Sequence, residues 1–121
     1  MARGSPKSLV GADGTPVCER CRVADTPLTR LRGLLGRAGL PCGEGLLIRP
    51  TSAIHTCFMR FSIDAVFLDR DLVVVGVVPE LRPWRAAVRR GANLVLELAA
   101  GESRRLGIRP GDRLSLVERP V

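Results

Sequence analysis

Two apolar runs separated by three polar residues constrain this chain more than any other feature. Residues 64–68 end in Val66-Phe67-Leu68, the polar triplet Asp69-Arg70-Asp71 follows, and residues 72–78 return as Leu-Val-Val-Val-Gly-Val-Val. β-Branched side chains lose rotamer freedom in a helix and pack well on a pleated surface, and an unbroken apolar run of this length reads as a strand covered on both faces. The two runs are therefore expected to form a hairpin at the centre of the core. Other apolar segments must supply the neighbouring strands.

Those segments can be read in order. Asp13-Gly14, between apolar residues 9–10 and 16–17, carries a tight hairpin-turn signal. In residues 17–23, Val17, Cys21 and Val23 alternate with Arg20 and Arg22, which suggests a half-buried strand. Further strands are expected at 45–49, 52–59, 64–68, 93–98 and 113–117, with a corner at 60–63 joining two of them. Asp25-Thr26-Pro27 supplies a cap and a first helical turn, and Leu28, Leu31, Leu35 and Ala38 recur at helical spacing until Gly39. Gly33 and Gly36 within that helix would cost about 1 kcal/mol each relative to Ala, so something packs closely against it. Residues 99–106 read as one helical turn. Residues 79–92, with two prolines, Trp84 and four arginines, read as a surface excursion.

The 121 residues hold one core, with residues 1–6 expected as a disordered tail and residues 7–121 as a single domain. The longest apolar run is far short of the roughly 20 residues a membrane-spanning helix needs, and the first residues lack the apolar segment of a secretory leader. A cytoplasmic monomer without a membrane span is the expectation. The net charge of +7 comes almost wholly from arginine, with Lys7 the sole lysine, and it is spread from Arg3 to Arg119. A diffuse excess with 3% aromatic residues and no Tyr makes nucleic acid an unexpected partner; if one bound, Arg82, Arg85, Arg89, Arg90 and Trp84 would meet it.

The densest group of chemically capable residues is Ile54-His-Thr-Cys-Phe-Met-Arg-Phe-Ser-Ile-Asp64, which holds the one His. Together with Gly33-Leu-Leu-Gly-Arg37, Gly45-Leu-Leu-Ile48, Val66-Phe-Leu-Asp69, Val95-Leu-Glu-Leu-Ala-Ala-Gly101 and Pro110-Gly-Asp112, this stretch resembles the DUF192 family of uncharacterised bacterial and archaeal proteins. The resemblance runs from about residue 17 to residue 117, with the blocks in the family's order. It implies a compact, strand-rich α+β fold and an unassigned function. Many relatives read Phe-Trp-Met-Lys-Asn-Thr where residues 56–61 read Thr-Cys-Phe-Met-Arg-Phe, so the relatives' Trp, Asn and Thr have no counterpart here. The fold class expected from residues and resemblance together is α+β: a barrel-like, mostly antiparallel sheet with one main N-terminal helix and short helical turns.

Cys18-Glu-Arg-Cys21 has the spacing of half a zinc site, and His55, Cys57 or Cys42 could complete it. On a strand, however, Cys18 and Cys21 would face opposite sides, so buried thiols are the favoured reading and no cofactor is expected. His55 and Cys57 would share a strand face about 7 Å apart, too far for a thiol–imidazole bond without bending. Asp64 lies among apolar neighbours and needs a partner, either Arg60 or a cluster of backbone amides. Its structural role is to lock a corner. If His55, Asp64 and Glu97 converge, they form a polar site on a rigid sheet. The leading expectation is a noncatalytic module that binds a small molecule or protein through His55, Met59, Arg60, Asp64 and Glu97. An enzyme using Asp64, His55 or Cys57 is the competing class, and an arginine-dependent binder of nucleic acid or anionic surfaces the third.

Overall fold

The structure is a computed structural model, and it describes residues 7–26 and 36–118. Nine strands dominate: β1 Lys7–Val10, β2 Pro16–Ala24, β3 Glu44–Ile48, β4 Ala53–His55, β5 Ile63–Leu68, β6 Val74–Leu81, β7 Ala86–Val88, β8 Leu94–Ala99 and β9 Ser115–Glu118. Seven form one sheet in the order β6-β5-β8-β3-β2-β1-β9, while β4 and β7 pair as a separate two-stranded ribbon. All pairings are antiparallel except β2 with β3, which run parallel.

This architecture corrects the expected α+β class and its barrel-like sheet. The sheet is open, because β6 and β9 occupy its two ends and do not pair; an isolated Val73–Arg113 bridge ties the residue before β6 to the segment before β9 without closing the circle. Among the described residues the one helix is α1, Glu102–Arg105. The main helix expected between Asp25 and Gly39 falls largely on residues 27–35, outside the described residues.

Strand alternation splits the apolar side chains between the two faces of the sheet. One face gathers Leu9, Cys18, Cys21, Leu47, Val66, Leu68, Leu96 and Leu98. The other gathers Ala24, Leu46, Ile48, Ala65, Phe67 and Val95, with Ile54 and Met59 arriving from the ribbon and its loop. Strand β5 is buried at all six positions, as a run serving both faces must be. Its hairpin partner is the correction: β6 starts at Val74, lies at the edge of the sheet, and has only three of its eight residues buried. Asp69 explains the late start, since its Oδ1 accepts bonds from the amides of Asp71 and Val73 and prolongs the turn, with Leu72 at φ 64°. Pro79 does not end β6, because an edge strand can spare one amide donor.

Cys18 and Cys21 are buried free thiols, but the expectation that they face opposite sides is overturned. Lys7 pairs with Cys21 and Leu9 with Cys18, so β2 carries an extra residue in this register. The bulge brings both thiols into one core cluster, each fully buried. Gly45 permits this packing, because a Cβ there would come within 2.8 Å of Cys18 Sγ. The Asp13-Gly14 turn forms as expected, with Gly14 at φ 85°.

Candidate functional site

The strand expected over 52–59 stops at His55, and the remainder forms the most exposed aromatic feature of the described residues. Strand β4 pairs with β7 so that Ile54 and Ala87 point into the core, while Ala53, His55, Ala86 and Val88 face outward. Beyond the ribbon the two chains remain tied. The Thr56 amide donates to Arg85 O at 2.8 Å, and Thr56 O accepts from the amides of Trp84 and Met59. The Thr56 side chain is fully buried between them; its Oγ1 donates to Arg82 O at 2.6 Å and accepts from the Arg85 amide at 2.9 Å. One hydroxyl thus fastens the 56–59 turn to the 82–85 turn.

These turns project Phe58 and Trp84. Each has positive φ, 66° and 65°, and the rings meet with centroids 4.6 Å apart at an interplanar angle of 59°. Phe58 is 70% exposed and Trp84 57%; with Val88 at 60% they make up three of the four large apolar residues exposed among the described residues. Met59 is the counterweight, inserted into the core below. Arg60, Arg82, Arg85 and Arg90, close to these residues in sequence, are exposed; Arg85 Nη1 donates to Trp84 O at 3.3 Å, and none of the four makes an ion pair among the described residues. Arg89 lies along β6 instead. Its stem occupies the space above Gly76, where a Cβ would fall 2.6 Å from Nε, and its guanidinium sits 5.8 Å from the Phe67 ring centroid. The short helix considered for residues 84–90 is replaced by strand β7.

The expected site residues divide among three settings. His55 and Arg60 are exposed, and His55 Nδ1 accepts the Cys57 amide at 3.2 Å, so Cys57 has left the strand and its relation to His55 is a local turn. Asp64 is fully buried on the Val66–Leu68 face of β5. Its Oδ1 accepts from the amides of Glu80 (2.8 Å) and Gly101 (3.1 Å), and its Oδ2 from the amide and hydroxyl of Ser103 (2.8 and 2.6 Å). The partner is the amide cluster, not Arg60. Glu97 occupies the opposite face, in a row with Leu46 and Ala65 on the neighbouring strands. It is 3% exposed, and burial pushes its carboxyl up to about 8. Asp64 and Glu97 therefore address different faces of the sheet, with Met59 in the core cluster on the Glu97 side.

Among the described residues no three His, Cys, Asp or Glu side chains are grouped to hold a metal ion. Contact with the Cys21 thiol, and then burial, push the Cys18 thiol up, which opposes the thiolate a metal would require. Elsewhere, a cavity of about 360 Å³ opens between the β1–β2 turn and residues 106–114. Its carboxylates are already engaged: Asp13 accepts the Thr15 amide and Asp112 the Arg109 amide. The Phe58–Trp84 pair was not expected from the sequence. Its signal was a large aromatic residue in each of two segments, Phe58 beside His55-Thr-Cys57 and Trp84 within the arginine-rich 82–90 stretch.

Fold and site together define a strand-rich protein, a seven-stranded open sheet beside a two-stranded ribbon with an aromatic tip. Residues 9–116 match the profile of DUF192, described as an uncharacterized ACR, and the chain belongs to that family. It is 35% identical over 101 residues to a UPF0127 protein of Pyrococcus furiosus, covering 77% of this chain and 83% of that one. It is 33% identical over 100 residues to a UPF0127 protein of Thermococcus sibiricus, covering 78% of this chain but only 64% of the relative, less than two thirds of its length. A crystal structure of a protein of unknown function from Novosphingobium aromaticivorans superposes with a TM-score of 0.79 at 26% identity, covering 91% of this chain and 83% of that one. A Sinorhizobium meliloti protein assigned provisionally to transcription regulation superposes with a TM-score of 0.80 at 26% identity, covering 91% of each chain. No helix among the described residues is long and apolar enough to cross a membrane.

Proposed function

We propose that this domain is a noncatalytic binding module whose contact surface is the outward face of the β4–β7 ribbon with its Phe58–Trp84 tip. In this reading His55 and Arg60 belong to the contact surface. Met59 anchors it, while Asp64 and Glu97 act from below, the first by tying strand ends together and the second as a neutral member of the core. The observation that carries the reading is the gathering of Phe58, Trp84 and Val88 on one small ribbon. Folding gains nothing from leaving large apolar groups in water, at about 25 cal/mol per Å² of exposed apolar surface, and clustered exposure of this kind marks interaction sites. Trp, Phe and Arg are also the residues enriched where binding energy concentrates.

Panning a random displayed-peptide library on the immobilised protein tests the reading. The expected binders hold the parent and lose the Phe58→Ser/Trp84→Ser variant. Binders that hold both proteins equally would reject the ribbon as the contact surface.

A further inference from the structure

We infer that the ribbon's partner is an acidic polypeptide segment in extended conformation, with apolar side chains at alternate positions; this rests on the ribbon being the contact surface. Length and spacing come first. On the outward face Val88, Ala86 and Trp84 follow one another along one chain, and Ala53, His55 and Phe58 along the other. Side chains on one face of a strand recur every two residues, about 7 Å apart, so an extended partner presents apolar groups at the same interval. Ala53, Ala86 and Val88 beside His55, with the large rings at one end, make a shallow strip with an aromatic stop. Such a strip accepts side chains of moderate size.

Charge supplies the second part. Arg60, Arg82, Arg85 and Arg90 flank the strip in sequence, exposed and without ion-pair partners among the described residues, and Glu80 is the exposed acid nearest in sequence to the strip. Guanidinium groups pair carboxylates through paired N–H donors, so a segment alternating acidic and apolar residues satisfies strip and rim together. Single-stranded nucleic acid fits the same charge less well. The two rings pack on each other at 59° instead of offering separate flat platforms to successive bases, and the rest of the strip is Ala53, Ala86 and Val88 with the single imidazole of His55.

Fluorescence anisotropy with four labelled probes tests the inference: an alternating Asp/Leu peptide, an alternating Lys/Leu peptide, oligo-dT, and phosphatidylserine vesicles. The expected result is salt-sensitive binding of the Asp/Leu peptide, weakened about tenfold or more by Trp84→Ala and again by Arg82→Glu/Arg85→Glu, with weaker signals from the others. Both variants alter exposed side chains, and unchanged circular dichroism checks that each is folded; the arginine variant keeps the test intact if Trp84→Ala is not. Tighter, Trp84-dependent binding of the Lys/Leu peptide, oligo-dT or vesicles would overturn the acidic-segment inference while leaving the ribbon as the contact surface. Binding of every probe that ignores both variants, or no binding of any probe, would overturn the inference, and with the first outcome the ribbon reading falls as well.

Discussion

Asp64 Oδ2 accepts both the amide and the hydroxyl of Ser103, at 2.8 and 2.6 Å, although 39 residues separate them in the chain. With Oδ1 holding Glu80 and Gly101, one carboxylate joins the start of β5 to the end of β6 and to the entry of α1. Replacing it by Ala strands several buried donors. Asp64→Ala should cost about 3–5 kcal/mol in denaturant melts, and Ser103→Ala about 1 kcal/mol, because the remaining oxygen bonds persist. Asp64→Asn should fall between them, since its NH₂ group faces donors. A midpoint for Asp64→Ala equal to the parent's would refute the tie.

Glu97 predicts a pH dependence of opposite sign to acid denaturation. Its folded-state pKa is raised from 4.5 to about 8, so the unfolded chain loses the proton first. The stabilising contribution is present in full below 4.5, declines as pH rises from 4.5 to 8, and is then gone. The shift corresponds to at most about 5 kcal/mol. Glu97→Gln should remove this decline, so the variant gains on the parent as pH approaches 8. Parallel stability curves for the two proteins across that window would exclude a buried, neutral Glu97.

Thr56 is tested by substitution with Val, which keeps the shape and deletes the hydroxyl. The loss should be about 1–3 kcal/mol, because Arg82 O and the Arg85 amide lose their bond partner. Trp84 is the one tryptophan, so its emission reports the tip directly. A variant with parental stability and an unaltered spectrum would show that the hydroxyl does not fasten the turns.

The cysteines separate by reactivity. Cys18 and Cys21 are fully buried and should resist iodoacetamide until the protein unfolds, whereas exposed Cys42 and half-buried Cys57 should be labelled in the native state. Cys42 Sγ donates to Glu102 Oε1 at 3.1 Å, and that bond raises the thiol's pKa. Glu102→Gln should accelerate labelling at Cys42. Mass spectrometry of the four sites decides, and native labelling of Cys18 would contradict its placement.

How far the residues announced this structure depends on which interaction set each feature. Alternation and turn chemistry are local, so the β1–β2 hairpin, β5 and β8 could be read directly, and the family assignment followed from several short blocks, 3 to 11 residues long, occurring in order. The burial of Asp64 was legible from Ile63 and Ala65, but its partners were not, because amides at 80, 101 and 103 carry no sequence label. Cys18 and Cys21 were assigned opposite faces because a bulge depends on the partner strand. Edge and centre were exchanged for β6 for a related reason: composition records apolar content, whereas position in a sheet is decided by every other strand. The ribbon escaped because Ala53, His55, Ala86 and Val88 acquire a common face only once β4 and β7 pair.

The strand order also bears on how the chain can be made. The middle of the sheet joins β3 to β8, and one margin joins the first strand to the last through Lys7 and Glu118. A nascent chain leaving the ribosome therefore presents β1, β2 and β3 well before β8 and β9 exist to cover them. Vectorial synthesis cannot complete this domain from its beginning; acquisition of the native state must wait for nearly the full length, with β3 and β1 as unfilled seams until then.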